Sequence, residues 1–155
     1  MKKNLLAVFL VFILFTENSC LKDKSCQPKT IQSEEGALQN MITTFGLNAT
    51  RHSSGLYYEI INQGSGAAPN PASSVSVRYV GKLADGTIFD QATSPTSLFP
   101  MANFIAGWQI GLSLIRESGF IKLVIPSSLA YGCQQAGIIP AHSILYFEVE
   151  LVDVQ

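Results

Sequence analysis

The sequence predicts an α+β domain: a curved antiparallel β-sheet wrapped around one short α-helix, with a helical extension at its N-terminal side. Three observations point there. The apolar pattern changes from helical to alternating beyond Ser54, strand-like segments then recur to the C-terminus, and between them Ala106 to Arg116 alone keeps helical spacing. A chain of 155 residues is the length of one domain, so its motifs belong to one core.

Taken in order, Lys2 and Lys3 precede an unbroken apolar run from Leu5 to Phe15. That run is too short for a hydrocarbon layer of about 30 Å and suits the core of a signal peptide. Thr16 to Ser19 then lead to Cys20, the position at which a bacterial lipoprotein signal is cut and its cysteine acylated. Ser19 fits such a site, whereas Glu17 stands where an aliphatic residue is usual, and plain secretion is the alternative. Residues 1–20 are thus expected to direct export to the periplasmic face of a bacterial membrane, with a lipid on Cys20 as anchor. Residues 21–30 are a polar tether without apolar periodicity.

Residues 31–54 form the helical extension. Leu38, Met41, Ile42 and Phe45 place an apolar stripe on one helix face, and Gly46 can end the helix in a left-handed turn. The stripe either packs on the domain or mediates self-association. The main domain then fills residues 55–155. Leu56 to Asn62 reads as a first strand, and Val75, Val77 and Tyr79 alternate with Ser76 and Arg78 in a second. Asp85-Gly86 suits a tight hairpin with positive backbone angles, returning through Thr87 to Asp90. The helix over Ala106 to Arg116 carries Trp108, Leu112 and Ile115. Phe120 to Ile125 is a strand stopped by Pro126, and Ile144 to Val154 is the last and longest. There Leu145, Phe147, Val149 and Leu151 face inward, opposite Tyr146, Glu148 and Glu150.

Composition removes several functions. Charged residues make up 14% of the chain and the formal net charge is -1, which leaves no basic surface for a nucleic acid. His52 and His142 lie far apart with no ligand spacing around them, so no metal and no cofactor is expected. With Cys20 acylated, Cys26 and Cys133 remain as a pair in an oxidising compartment. They either bond or stand apart as a linker and a loop residue.

Several runs carry a resemblance: Val77-Arg78-Tyr79-Val80-Gly81 followed by Asp85-Gly86-Thr87-Ile88-Phe89-Asp90, Phe104-Ile105-Ala106-Gly107-Trp108, Ile125-Pro126 with Leu129-Ala130-Tyr131-Gly132, Gly137-Ile138-Ile139-Pro140, and Leu145 to Leu151. In that order over most of the mature chain they resemble the FK506-binding-protein family of peptidyl-prolyl cis/trans isomerases. The resemblance implies a catalytic set of Tyr79, Asp90, Trp108, Tyr131 and Phe147, and a substrate-binding set of Phe89, Phe99, Phe104, Ile105 and Ile139. Trp108 would be the floor of the pocket. It also implies that the Ile105 amide and the Tyr131 hydroxyl bond the substrate's carbonyls, that Asp90 lies at the pocket edge, and that the partners are X-Pro-containing polypeptides and macrolides of the FK506 and rapamycin type. The chain departs from the family pattern at Ser97, where an aromatic residue is common, at Ala106, at Gln135, and in a segment before Pro140 that is one residue short. One pocket wall is therefore expected to be thinner and one loop reshaped.

Such residues suit a reaction without nucleophile or acid-base pair. Amide resonance sets a rotation barrier of about 18 to 20 kcal/mol, and at proline the uncatalysed exchange takes tens to hundreds of seconds. The planar amide is more charge-separated than the twisted one, so an apolar pocket favours the twisted form. A second function class is a chaperone-like module that holds proline segments with little turnover. A third is a structural piece of a surface complex with the helix from Leu38 to Phe45 as its interface.

Overall fold

The computed structural model describes residues 26–155, so the export signal, the lipidation of Cys20 and the tether up to residue 25 lie outside the described residues. Residues 26–30 run without regular structure into α1 (Ile31–Thr44). Thr30 begins that helix: its hydroxyl oxygen accepts the Ser33 amide at 3.2 Å, satisfying a first-turn donor. Gly46, at φ +63, ends it, with the Leu47 amide bonded back to the Ile42 carbonyl.

Seven strands follow, all antiparallel: β1 (Thr50–Arg51), β2 (Tyr57–Asn62), β3 (Ser74–Lys82), β4 (Ile88–Ala92), β5 (Phe99–Pro100), β6 (Phe120–Ile125) and β7 (Leu145–Val154). Their order across the sheet is β1-β2-β6-β7-β3-β4, and β5 pairs with the start of β3. β7, the longest, lies between β6 and β3 along its length, which explains its near-continuous burial. The helix α2 (Ala106–Leu112) packs on the inner face. Val75, Val77, Leu123, Ile125, Phe147 and Val149 meet Trp108 and Leu112 there, as the period-two alternation requires.

The outer face is where the helical extension goes. Leu38 and Met41 of α1 are buried against Tyr57, Val124 and Tyr146, so the apolar stripe is spent on the chain's own sheet. Phe45 stacks flat on Tyr146 with ring centroids 4.1 Å apart. Tyr146 does share a face with Glu148 and Glu150, yet it is fully buried because α1 covers it.

Three local expectations need correction. The central helix stops at Leu112, not Arg116. Leu114 and Ile115 close tighter i to i+3 bonds, and the Arg116 amide turns away to the Gln63 carbonyl. The hairpin at Asp85-Gly86 is not the two-residue turn with two positive angles. Gly86 alone has positive φ, Leu83 bonds Thr87 across a three-residue loop, and the register shifts beside Gly81. The returning strand consequently begins at Ile88 and runs past Asp90 to Ala92. The cysteine alternatives also resolve: Cys26 and Cys133 form a disulfide, Cα atoms 5.3 Å apart.

Candidate active site

The inner face of the sheet does not close over α2. Beside Trp108 a cavity of about 350 Å³ opens, lined by aromatic side chains from β3, β4, β5, the segment that leads into α2, the β6–β7 connection and β7. Trp108 lies beneath it, 4% exposed, held by the bond from its own amide to the Ile105 carbonyl at 2.9 Å. Around the indole stand Tyr79 at 5.1 Å and Phe147 at 5.2 Å, both edge-on, and Phe104 at 5.0 Å. Phe89 meets Phe147 edge-on at 5.4 Å and extends the ring wall outward. Edge-to-face packing lets these rings brace one another while leaving a concave apolar surface.

This ring wall depends on Gly81. A Cβ there would lie 2.6 Å from Phe89 Cζ and 2.7 Å from Phe147 Cε1, so the two rings occupy the space a side chain would take. Gly81 pairs across the sheet with both Asp90 and Phe147.

Polar groups are few and sit at the rim. The Tyr79 hydroxyl donates to Asp90 Oδ2 at 2.7 Å. Burial first, and the carboxylate beside it second, hold the Tyr79 phenol well above its ordinary range. Among the described residues the Ile105 amide meets no acceptor and the Tyr131 hydroxyl has no hydrogen-bond partner. Tyr131 is 42% exposed and lines both this cavity and the adjoining depression that Asp90 also borders. The indole N–H of Trp108 is buried and likewise has no partner. None of the cavity-lining side chains is a histidine, cysteine, serine or lysine. The arrangement can desolvate a ring and donate to carbonyls, and where a hydroxyl meets a carboxylate, Tyr79 on Asp90, burial and that charge oppose its ionisation.

Of the ten residues singled out by resemblance, Tyr79, Phe89, Asp90, Phe99, Phe104, Ile105, Trp108, Tyr131 and Phe147 all line this cavity. Ile139 does not. It is buried beside an adjoining depression that shares Phe89, Asp90 and Tyr131 with the main cavity. Val77, Thr96 and Asn103 line the cavity without having been expected. Val77 is two residues from Tyr79 on the same strand face, a signal the alternation did carry; Thr96 and Asn103 sit in irregular segments with no periodicity to mark them. Ser97 is exposed and off the cavity wall, whose outer side is Phe99, 6.5 Å from Phe104. Gln135 caps its own loop: its side-chain amide donates to the Gly137 carbonyl at 3.0 Å, and Ala136 and Ile139 bond each other in both directions across a tight turn.

A family model described as FKBP-type peptidyl-prolyl cis-trans isomerase matches residues 66–152. The chain is 45% identical over 112 residues, 70% of its length, to the FKBP-type 22 kDa peptidyl-prolyl cis-trans isomerase of Escherichia coli strain K12, and covers 53% of that protein. Its structure is similar to the crystal structure of FkpA from Escherichia coli, with TM-score 0.70 and 37% identity over 81% of this chain and 61% of that one. It is also similar to a peptidyl-prolyl cis-trans isomerase from Pseudomonas syringae pv. tomato DC3000, with TM-score 0.69 and 32% identity over 83% of this chain and 98% of that one. The chain spans about half, or less, of the length of the curated relatives it matches, from 54% down to 39%.

Proposed function

The chain belongs to the FKBP-type peptidyl-prolyl cis-trans isomerase family, and on that premise we propose that it catalyses rotation about X-Pro bonds in the cavity above Trp108. One observation carries the proposal: an open, ring-walled hollow has unpartnered donors on its lips, at the Ile105 amide and the Tyr131 hydroxyl. A pyrrolidine ring placed against the indole, with Phe147 and Tyr79 at its sides, leaves water. The amide beside it loses the solvation that favours its planar, charge-separated form, so the twisted transition state gains relative to the ground state. The two donors hold the flanking carbonyls while the bond turns, which replaces a free search by a fixed axis. No covalent bond forms or breaks. In this reading residues 55–155 are the isomerase unit, Asp90 orients Tyr79, and Ile139 supports the lip beyond Tyr131 rather than touching proline.

A protease-coupled assay on Ala-X-Pro-Phe peptides tests it. Turnover well above the uncatalysed rate, flat between about pH 6 and 8 since no lining group is of a type that titrates there, is the expected result. No acceleration for any X would overturn the assignment. Macrolides of the FK506 type would compete for the same hollow, and loss of peptide turnover on their addition checks that.

The finer location belongs to the same proposal. Export and acylation at Cys20 are supported by the sequence before it, and the Cys26–Cys133 bond suits an oxidising compartment. Among the described residues no helix is long and apolar enough to cross a membrane. Labelling with a fatty-acid probe, present in the parent chain and lost in Cys20→Ala, is the expected pattern.

A further inference from the structure

Tyr131 sits on the long connection between β6 and β7, and the backbone around it converges on one residue. Ser127 is fully buried, and its carbonyl accepts the amides of Ala130 at 3.0 Å and Gly132 at 2.8 Å, the two neighbours of Tyr131. The other side of the same residue, its amide, donates to Glu34 Oε2 at 3.0 Å. Glu34 comes from the first turn of α1, is 3% exposed, and among the described residues has no partner for its second oxygen. A carboxylate is costly to bury and must be held by what it bonds. Glu34 is not needed to begin α1, which Thr30 caps, nor to dock it, which Leu38 and Met41 accomplish. Its contact is with the turn that carries Tyr131. Two residues beyond Tyr131, Cys133 is bonded to Cys26, in the segment just before the same helix.

We propose that Glu34 is a positioning residue for Tyr131, with the Cys26–Cys133 disulfide as the second arm of one clamp, so that the N-terminal segment sets the lip of the isomerase pocket. The proposal rests on the function inferred above. It goes beyond it in giving the helical extension a part in substrate binding.

The test compares Glu34→Ala, Glu34→Gln and Cys26→Ser with the parent chain on one Ala-Leu-Pro-Phe peptide. Misplacing Tyr131 weakens its grip on a carbonyl in ground and transition states alike, so KM should rise about tenfold in Glu34→Ala while kcat changes less than about twofold. Cys26→Ser should shift KM in the same direction. Glu34→Gln keeps an acceptor oxygen and should recover the parent KM. A merely structural loss would lower the active fraction, and with it kcat, at unchanged KM. Glu35→Ala is the control: Glu35 bonds Tyr57 and pairs with Arg51, away from the turn, and should leave KM alone. Amide exchange gives a readout apart from activity. Ala130 and Gly132 should exchange faster in Glu34→Ala than in the parent or in Glu35→Ala. Unchanged KM with unchanged exchange, or the same changes in Glu35→Ala, overturns the proposal. If the parent turns over no proline peptide, the isomerase assignment falls, and exchange at Ala130 and Gly132 alone decides whether Glu34 holds Tyr131.

Discussion

Two tyrosines on opposite faces of the sheet put the same chemistry to structural use. Tyr79 donates to Asp90 at 2.7 Å at the cavity rim, and Tyr146 donates to Glu148 at 2.8 Å under α1. Burial is the larger cause and the neighbouring carboxylate the next, and both hold the phenols above their ordinary value of 10.0. A group whose value is raised on folding stabilises the fold fully below its unfolded value and loses that contribution as pH rises towards the folded one. The urea midpoint should therefore fall as pH rises above about 10, where unfolded tyrosines ionise and folded ones resist. Tyr146→Phe should flatten part of that fall, and a midpoint unchanged from pH 8 to pH 11 would contradict it. Little of this was legible in the sequence. Alternation placed Tyr146 opposite Phe147, which is correct, but alternation reports a face and not what covers it. Trp108 and Tyr131 were singled out by family resemblance, because from spacing alone the first reads as a helix core residue and the second as a core tyrosine with a satisfied hydroxyl, whereas Tyr131 is 42% exposed.

At the level of elements, the pocket wall exists because β3 carries no side chain where the rings of Phe89 from β4 and Phe147 from β7 meet. Gly81 is that position, paired with Asp90 on β4 and Phe147 on β7. Placing a methyl group there forces Phe89 or Phe147 out of the wall, at contacts shorter than real Cβ atoms show. Gly81→Ala should thus cost about 1 to 3 kcal/mol by overpacking and reduce kcat/KM by more than that stability loss explains, since the displaced rings are the cavity lining. Urea unfolding beside the peptide assay checks this; an active, destabilised variant would show that the rings move without disturbing the site. Elements with sustained periodicity were legible: α1, β3, β6 and β7 appear close to where their patterns put them. β1 and β5, at two residues each, were not, because a period needs several residues to show itself. The early end of α2 was hidden for a different reason. Ile115 continues the helical spacing as a buried side chain, while the backbone has already turned towards Gln63.

For the molecule as a whole, one sheet serves two faces: α2 and the cavity occupy the inner one, α1 the outer. The sequence left open whether the stripe of Leu38, Met41, Ile42 and Phe45 packs inward or joins another copy. In the structure its central residues are buried against Tyr57, Val124 and Tyr146, which leaves that stripe little surface for a partner. Removing residues 26–49 would uncover those three side chains together with Ile144, an apolar patch on an otherwise polar face, and would also take away Cys26 and Glu34. Exposed apolar patches of that kind drive association. The shortened chain should elute earlier than its mass predicts, with the shift growing with concentration, whereas the full chain should show no such dependence through this face. Replacing Tyr146 by Glu in the shortened chain should restore monomeric elution, because a charge in the middle of the patch opposes its burial between copies. If the shortened chain is monomeric without that change, α1 is not needed as a cover, and its place on the sheet owes more to the clamp on Tyr131 than to the apolar area it buries.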